Sequence, residues 1–437
     1  MESIWKQGVS MPEFPCLDGD TRTDILIIGG GIAGLLCAFE LERAGADYLL
    51  VEAKELCSGV TGNTTAKVTA QHGILYQKLL PSLGLEKTRL YFEANQKAVE
   101  EYRALCREVD CDFSDQTAYV FARSSPEKLQ QEQAVYRAMG VETTLQQSSP
   151  LPFPVAGCLS LEGQGQFDPL KFLAWAAQGL NIRCHTKVQG LAPGEALTDH
   201  GVIRCNKIIL ATHFPILNKH GLYPLKMYQH RSYVLALRGA GHVTGMYVSQ
   251  DETGLSFRMY KDMLLLGGGG HRTGKNGGGW QELRSLARRW YPGAQEVAHW
   301  VAQDCITLDG GAYVGMYSPQ TPDLFVTTGF NKWGMTTALA GAHILCDLVQ
   351  GKANRYASAF DPNRPMAKGA AIANAAAATA NILTPTVPRC PHLGCALKYN
   401  RQEHTWDCPC HGSRFGEDGG LIDGPSTDDL QKKPSAG

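Results

Sequence analysis

Residues Asp24 to Ile28 form an apolar run that breaks into Gly29-Gly30-Gly31, and this junction constrains the fold more than any other stretch of the chain. After Ile32-Ala33-Gly34 an apolar pattern at helical spacing runs through Leu35, Ala38, Phe39 and Leu41. Gly45 stops it, and Tyr48 to Val51 read as a second strand closing on Glu52. Strand, G-x-G-x-x-G, helix, strand and acidic residue form the opening unit of a doubly wound sheet that takes a dinucleotide. Gly29 permits the tight turn. Gly31 lets a pyrophosphate approach the backbone where Ile32 and Ala33 open the helix, and Gly34 lets that helix lie close on the strand. The helix N-terminus favours the phosphates, and Glu52 can take a ribose hydroxyl. A purely structural glycine turn is the competing reading, and the strands, helix and carboxylate around it weigh against that.

A chain of 437 residues has room for two or three domains, and its net charge of −1 offers no basic surface for nucleic acid or anionic lipid. The start, Met1-Glu-Ser-Ile-Trp-Lys6, has no apolar core of a signal peptide, and no uninterrupted apolar run is long enough to span a bilayer. A cytoplasmic protein without a transmembrane segment is the expectation. Of the 14 cysteines, most read as small buried hydrophobes, with Cys106 and Cys111 a close pair. The exception is the C-terminal end.

That end reads Cys390-Pro-His392-Leu-Gly-Cys395 and, further on, Cys408-Pro-Cys410-His411-Gly-Ser413. A Cys-x-His and a Cys-x-x-His pair supply two thiolates and two imidazoles, the donor set of a Rieske [2Fe–2S] centre. Structural zinc is the alternative, although its sites favour C-x2-4-C spacing. The segment resembles the two cluster-binding loops of Rieske proteins. That resemblance implies Cys390 and Cys408 on one iron, His392 and His411 on the other, and a disulfide between Cys395 and Cys410; two free thiols are the alternative. Phe415 stands where many high-potential members carry a tyrosine that hydrogen-bonds a cysteine sulfur, so the cluster is expected below the top of the Rieske range. The Ala-rich stretch 370–380 leads almost directly into Cys390, which reads as a minimal cluster domain that packs on the rest of the protein.

Between the two ends lie Gly59-Val-Thr61-Gly-Asn-Thr64-Thr65-Ala-Lys67, Lys187-Val188, Ile208-Ile-Leu-Ala211-Thr212, and Asp323-Leu-Phe-Val-Thr-Thr-Gly329-Phe-Asn-Lys-Trp-Gly334-Met335-Thr336. With the opening unit they resemble the D-amino-acid oxidase-like (DAO) superfamily of FAD oxidoreductases over roughly residues 20 to 365. The resemblance implies FAD, with Val188 at the adenine and Gly329, Gly334, Met335 and Thr336 laying backbone against the flavin. Gly59, Thr61, Thr64, Thr65, Ala211 and Thr212 complete the expected cofactor contacts. No second G-x-G-x-x-G argues for a nicotinamide cofactor; the Gly267–Gly270 run fits a turn or a close flavin approach at the end of strand Met263 to Leu266. The implied fold class is α/β (α+β): a doubly wound Rossmann-like FAD domain (1–75, 155–215, 301–365), an inserted substrate domain with a mixed or antiparallel sheet (76–154, 216–300), an Ala-rich helix and linker (366–388), and a small all-β Rieske domain (389–437). Helices over 86–108 and 126–139, and strands over 118–122 and 231–237, fit the insertion.

Two redox carriers on one chain imply a dehydrogenase that oxidises an amine or amino-acid-like small molecule at FAD, with single electrons leaving through the cluster to an external carrier. A reductase running the other way, a Rieske-type oxygenase and a pure electron-transfer protein are the alternatives. Relatives acting on amino acids often place an arginine ahead of an Asp-Gly-x-Pro-Tyr segment. Here the matching segment is Asp309-Gly-Gly-Ala-Tyr313, and Asp304 stands near the arginine's place. A carboxylate there suits a cationic amine, although Asp304 as a salt-bridged loop residue is an equal alternative. Arg258 and His271 are further catalytic candidates beside the glycine run, and Tyr228, His230 and Arg231 could also reach the site.

Overall fold

The computed structural model describes residues 2–217, 219–251, 254–365, 368–385 and 388–430. Three sheets organise them. In the first, six strands run in the order Tyr313–Ser318, Thr321–Thr328, Gly201–Leu210, Thr21–Ile28, Tyr48–Val51, Ile182–Arg183, with Tyr313–Ser318 antiparallel to its neighbour and the other five parallel; the hairpin Val188–Ala192, Glu195–Thr198 adds to Gly201–Leu210 in antiparallel pairing. Strand Thr21–Ile28 shows why this sheet is sandwiched. Ile25 and Ile27 pack into one hydrophobic core, Leu26 and Ile28 into another, so both faces are covered. Helix Ile32–Arg43 leaves the first strand and packs on helix Gly334–Val349, both starting at the carboxyl end of the sheet.

The second sheet has the order Gln295–Thr307, Met227–Arg238, Met263–Arg272, Ser256–Tyr260, Met246–Ser249, Ser114–Ala122, Gly157–Gln166, Lys67–Val68. It is mixed, because Met246–Ser249 pairs in parallel with Ser114–Ala122. Strands Gly157–Gln166 and Gln295–Thr307 belong to this sheet, although 155–166 and 301–307 fall in segments expected in the FAD domain. Gly157–Gln166 is buried along most of its length and Gln295–Thr307 only toward its end, so pairing rather than pattern assigns them. Helices Tyr76–Leu105 and Glu127–Met139 occupy the expected helical segments. The glycine run is not a turn. Gly267 to Gly270 continue strand Met263–Arg272 past a bulge opposite Arg231 and Tyr233. A Cβ at Gly270 would press on His230 and on the Arg231 carbonyl at about 2.6 and 2.7 Å, so the strand passes where no side chain fits.

The third sheet is an antiparallel meander, Lys398–Asn400, Thr405–Asp407, Arg414–Gly416, Leu421–Asp423, built almost entirely after the first cysteine loop. Helix Lys368–Leu383 leads into it. Residues 366–367 and 386–387 of the expected linker, and 431–437 of the expected cluster domain, lie outside the described residues.

A half-buried cluster ties three helices together. His343 on Gly334–Val349 bonds Glu101 of Tyr76–Leu105 through Nε2 at 2.5 Å and faces Glu40 of Ile32–Arg43 through Nδ1 at 3.4 Å. Arg43 and Lys97 complete the charges around it. Burial works to lower the His343 pKa, but the Glu101 and Glu40 carboxylates raise it above its ordinary 6.5. A raised histidine pKa stabilises fully below the unfolded value and ceases to do so as pH rises through the folded value. His343→Gln is therefore expected to lower the melting temperature most near about pH 5.5, and progressively less once pH passes 6.5. Thermal unfolding across this range checks it; a penalty independent of pH refutes the assignment.

Candidate functional site

A cavity of about 1260 Å³ opens at the carboxyl ends of the first sheet, where the strand order reverses between Thr21–Ile28 and Gly201–Leu210. That is where open α/β sheets take ligands. Gly29, with φ +111°, makes the turn, and a Cβ on it would meet the Ala211 carbonyl oxygen at 2.6 Å; a Cβ on Gly34 would overlap the Gly29 carbonyl oxygen. Helix and strand thus touch backbone to backbone. The Thr61 hydroxyl accepts from the Ile32 amide at 3.0 Å, and the Glu52 carboxylate accepts from the Gly30 and Lys54 amides at 2.6 and 2.9 Å. Gly29, Gly31, Ile32, Ala33, Glu52, Gly59, Thr61, Thr64, Thr65, Val188, Ala211, Thr212, Gly329, Gly334 and Met335 all line the cavity. Gly34 and Thr336 stand behind it. Gly34 is the packing contact, and the Thr336 hydroxyl donates to the Thr69 carbonyl at 3.0 Å. A long cavity with a glycine cradle at one helix N-terminus and a second helix starting at Gly334 fits FAD.

The far end of the cavity carries the candidate catalytic groups. Strand register sets His230 opposite Asp304, and both line the wall with His271 and Tyr228. Burial raises the Asp304 pKa, with Lys332 and His213 pulling the other way; its visible partner is the Ser232 hydroxyl at 3.4 Å. Lys332 has exposed surface and lines the cavity, and burial of its charge lowers its pKa against Asp304. No ion pair joins the two side chains. His271 Nε2 meets the Tyr233 hydroxyl at 3.0 Å.

Two candidates serve other purposes. Arg258 is fully buried off the cavity wall. It donates to the carbonyls of Thr65 and Ala66 at 2.7 Å and lies over Trp5 and Tyr260, so it positions the Thr64–Thr65 wall. Arg231 lines the cavity but pairs with Glu403 of the C-terminal domain. Residues that the sequence reading passed over are Lys67, Lys332 and His213. Lys67 lines the wall with its pKa pushed down to about 7 by burial. His213 has φ +64° and a buried Nε2 with no hydrogen-bond partner; burial lowers its pKa, and the charges of Asp304 and Asp423 work the other way. Lys67 and Lys332 lay inside quoted motifs; nothing local marks His213, whose exposure to the cavity depends on three distant segments.

The two cysteine loops come together as their spacing requires. Cys390 and Cys408 are buried and share a hydrogen bond that lowers Cys390 to about 7 and, with burial, raises Cys408. The rings of His392 and His411 lie 5.0 Å apart, nearly perpendicular. Burial lowers both imidazoles, to about 4 and about 3, so both are neutral donors. His411 Nδ1 is buried without a hydrogen-bond partner, while the ring bonds the Pro224 carbonyl. Two thiols, two neutral imidazoles and an orphaned inner nitrogen fit a [2Fe–2S] cluster. Cys395 and Cys410 form the disulfide between the loops, and Phe415 is fully buried beneath them.

Comparison with known proteins accords with both halves. The model of the FAD dependent oxidoreductase family matches residues 24–348, and that of the Rieske [2Fe-2S] domain matches residues 378–434. The chain is 33% identical to the Rieske 2Fe-2S iron-sulfur protein YhfW of Bacillus subtilis (strain 168), over 99% of this chain and 97% of that one. In fold it is similar to glycine oxidase from Geobacillus kaustophilus (TM-score 0.65, 21% identity, 79% of this chain and 99% of that one). It is also similar to L-proline dehydrogenase from P. horikoshii (TM-score 0.65, 16% identity, 80% and 98%).

Proposed function

The chain belongs to the FAD-dependent oxidoreductase family and carries a C-terminal Rieske [2Fe–2S] domain, and on that premise we propose a dehydrogenase that oxidises an amine or amino-acid-like molecule. Its electrons leave singly through the cluster for an external carrier. FAD supplies the acceptor for a hydride, and the cluster supplies one-electron steps.

The supporting observation is where the C-terminal domain sits. Gln229 and Gln303 lie on the two strands that wall the substrate end of the cavity, and they donate to the carbonyls of His411 and Gly412 at 2.8 and 2.9 Å. The second histidine loop therefore rests on the back of the flavin cavity wall, while His392 keeps partial exposure on the outer side. In this reading Cys390, His392, Cys408 and His411 hold the cluster. Asp304 receives the ammonium group of the substrate, and Lys332 a carboxylate where there is one. The two groups bear opposite charges on one wall of the cavity, which suits a substrate carrying both an ammonium and a carboxylate. A small cytoplasmic substrate and a diffusible one-electron partner complete the reading.

Anaerobic mixing with a panel of amines and amino acids tests it. Flavin absorption is expected to bleach, followed by the EPR signal of a reduced Rieske centre. His392→Ala is expected to leave the bleaching rate within twofold and abolish the EPR signal. Protein holding zinc without acid-labile sulfide sinks the proposal.

A further inference from the structure

The C-terminal domain does more than touch the back of the wall. Its last strand and the turn after it, residues 421–427, run along the FAD cavity, and all of them but Pro425 line it. Ile422 offers its carbonyl to Lys54, two residues beyond Glu52, at 3.4 Å. Gly424 accepts from Gln229 at 2.9 Å at the other end. The segment thus reaches along the cavity from the ribose carboxylate toward the substrate strands. The Ser426 amide donates to Ser413 at 2.9 Å, which ties this segment to the second cysteine loop.

The seam that holds it there is close-packed and charged. The Arg231 side chain is 2% exposed and Glu403 5%, and Glu403 also bonds Arg414 at 2.6 Å, which reaches Asp423 at 3.0 Å. A Cβ on Gly274 would strike the Pro409 backbone at 2.7 Å, and one on Gly412 the Gln229 side chain at 2.5 Å. The two domains touch directly at these points.

We propose that the Rieske domain is part of the FAD-binding site: residues 421–427 roof the dinucleotide, which leaves only when the whole domain lifts. The physical reason is connectivity. The roof cannot open alone, because its strand is anchored through Arg414 to the same Glu403 that holds the seam. The inference is independent of the electron relay, since release of FAD is measured without turnover.

Two measurements on the full-length protein test it. In hydrogen exchange, the backbone of 421–427 is expected to exchange at least tenfold more slowly with FAD bound than after flavin depletion; equal exchange overturns the proposal. The second follows FAD release by the rise of free-flavin fluorescence on dilution, in Glu403→Gln and in Gly274→Ala, which loosen the seam by different means. Release at least tenfold faster than in the unaltered chain, with the disulfide intact, supports the roof. Release within twofold of the unaltered chain in both variants overturns it.

Discussion

Glu403→Gln is expected to loosen the C-terminal domain by about 3 to 5 kcal/mol, the usual loss when one partner of a buried ion pair is removed. The cause is local and electrostatic. Burial works against the Glu403 charge, but Arg231 and Arg414 hold its pKa below the ordinary 4.5, and Tyr233 donates to it at 2.8 Å. Gln keeps the volume and removes the charge, leaving two buried guanidiniums facing each other. Arg414 retains Asp407 and Asp423, while Arg231 keeps only the longer contact to Asp423 at 3.9 Å. A loss of about 3 kcal/mol lowers the docking equilibrium constant roughly a hundredfold. Urea unfolding followed by Rieske circular dichroism measures it. The double variant Arg231→Met with Glu403→Leu is expected to recover most of the loss, since no unpaired charge remains. A single-variant loss below about 1 kcal/mol would show the seam to be solvated and the account wrong.

Gly34→Ala is expected to strip the chain of FAD. Its methyl group would overlap the Gly29 carbonyl oxygen, which is backbone and cannot swing aside. The helix N-terminus must then shift by a good part of an ångström, and the amides that face the pyrophosphate shift with it. At least a tenfold weaker retention of FAD is expected after gel filtration, with the iron content of the C-terminal domain unchanged, because the cluster's cysteines and histidines lie on separate loops, residues 390–395 and 408–413. Gly45→Ala is the control: its Cβ meets nothing within 4 Å, so only its φ of +67° costs stability, about 1 kcal/mol. Equal flavin content in Gly34→Ala and the unaltered chain would remove the close-packing argument.

The two ends of the chain were legible because their chemistry is local. The G-x-G-x-x-G unit and the Cys/His loops name their ligands through spacing over a few residues, and the structure brings each set together. The glycine run Gly267–Gly270 was less legible. Glycines mark a place where no side chain fits, but sequence does not say whether a turn or a close neighbour excludes it; here close neighbours do, Ser256 at Gly267, the Gly279 backbone at Gly269, and His230 with the Arg231 carbonyl at Gly270. Arg258 and Arg231 illustrate the same limit. Both are charged residues near motif segments, and only the fold shows that one holds the Thr65–Ala66 backbone and the other a glutamate of another domain.

Sequence by itself determined that this chain binds a dinucleotide at one end and offers two thiols and two imidazoles at the other, since both depend on residues adjacent in the chain. Tertiary structure alone decided that strand Leu421–Asp423 lies on the FAD cavity and that His213, Asp304 and Lys332 line that same cavity. Those contacts join residues tens to hundreds of positions apart. They form only when two separately patterned domains bury their surfaces against each other, and no local spacing records them.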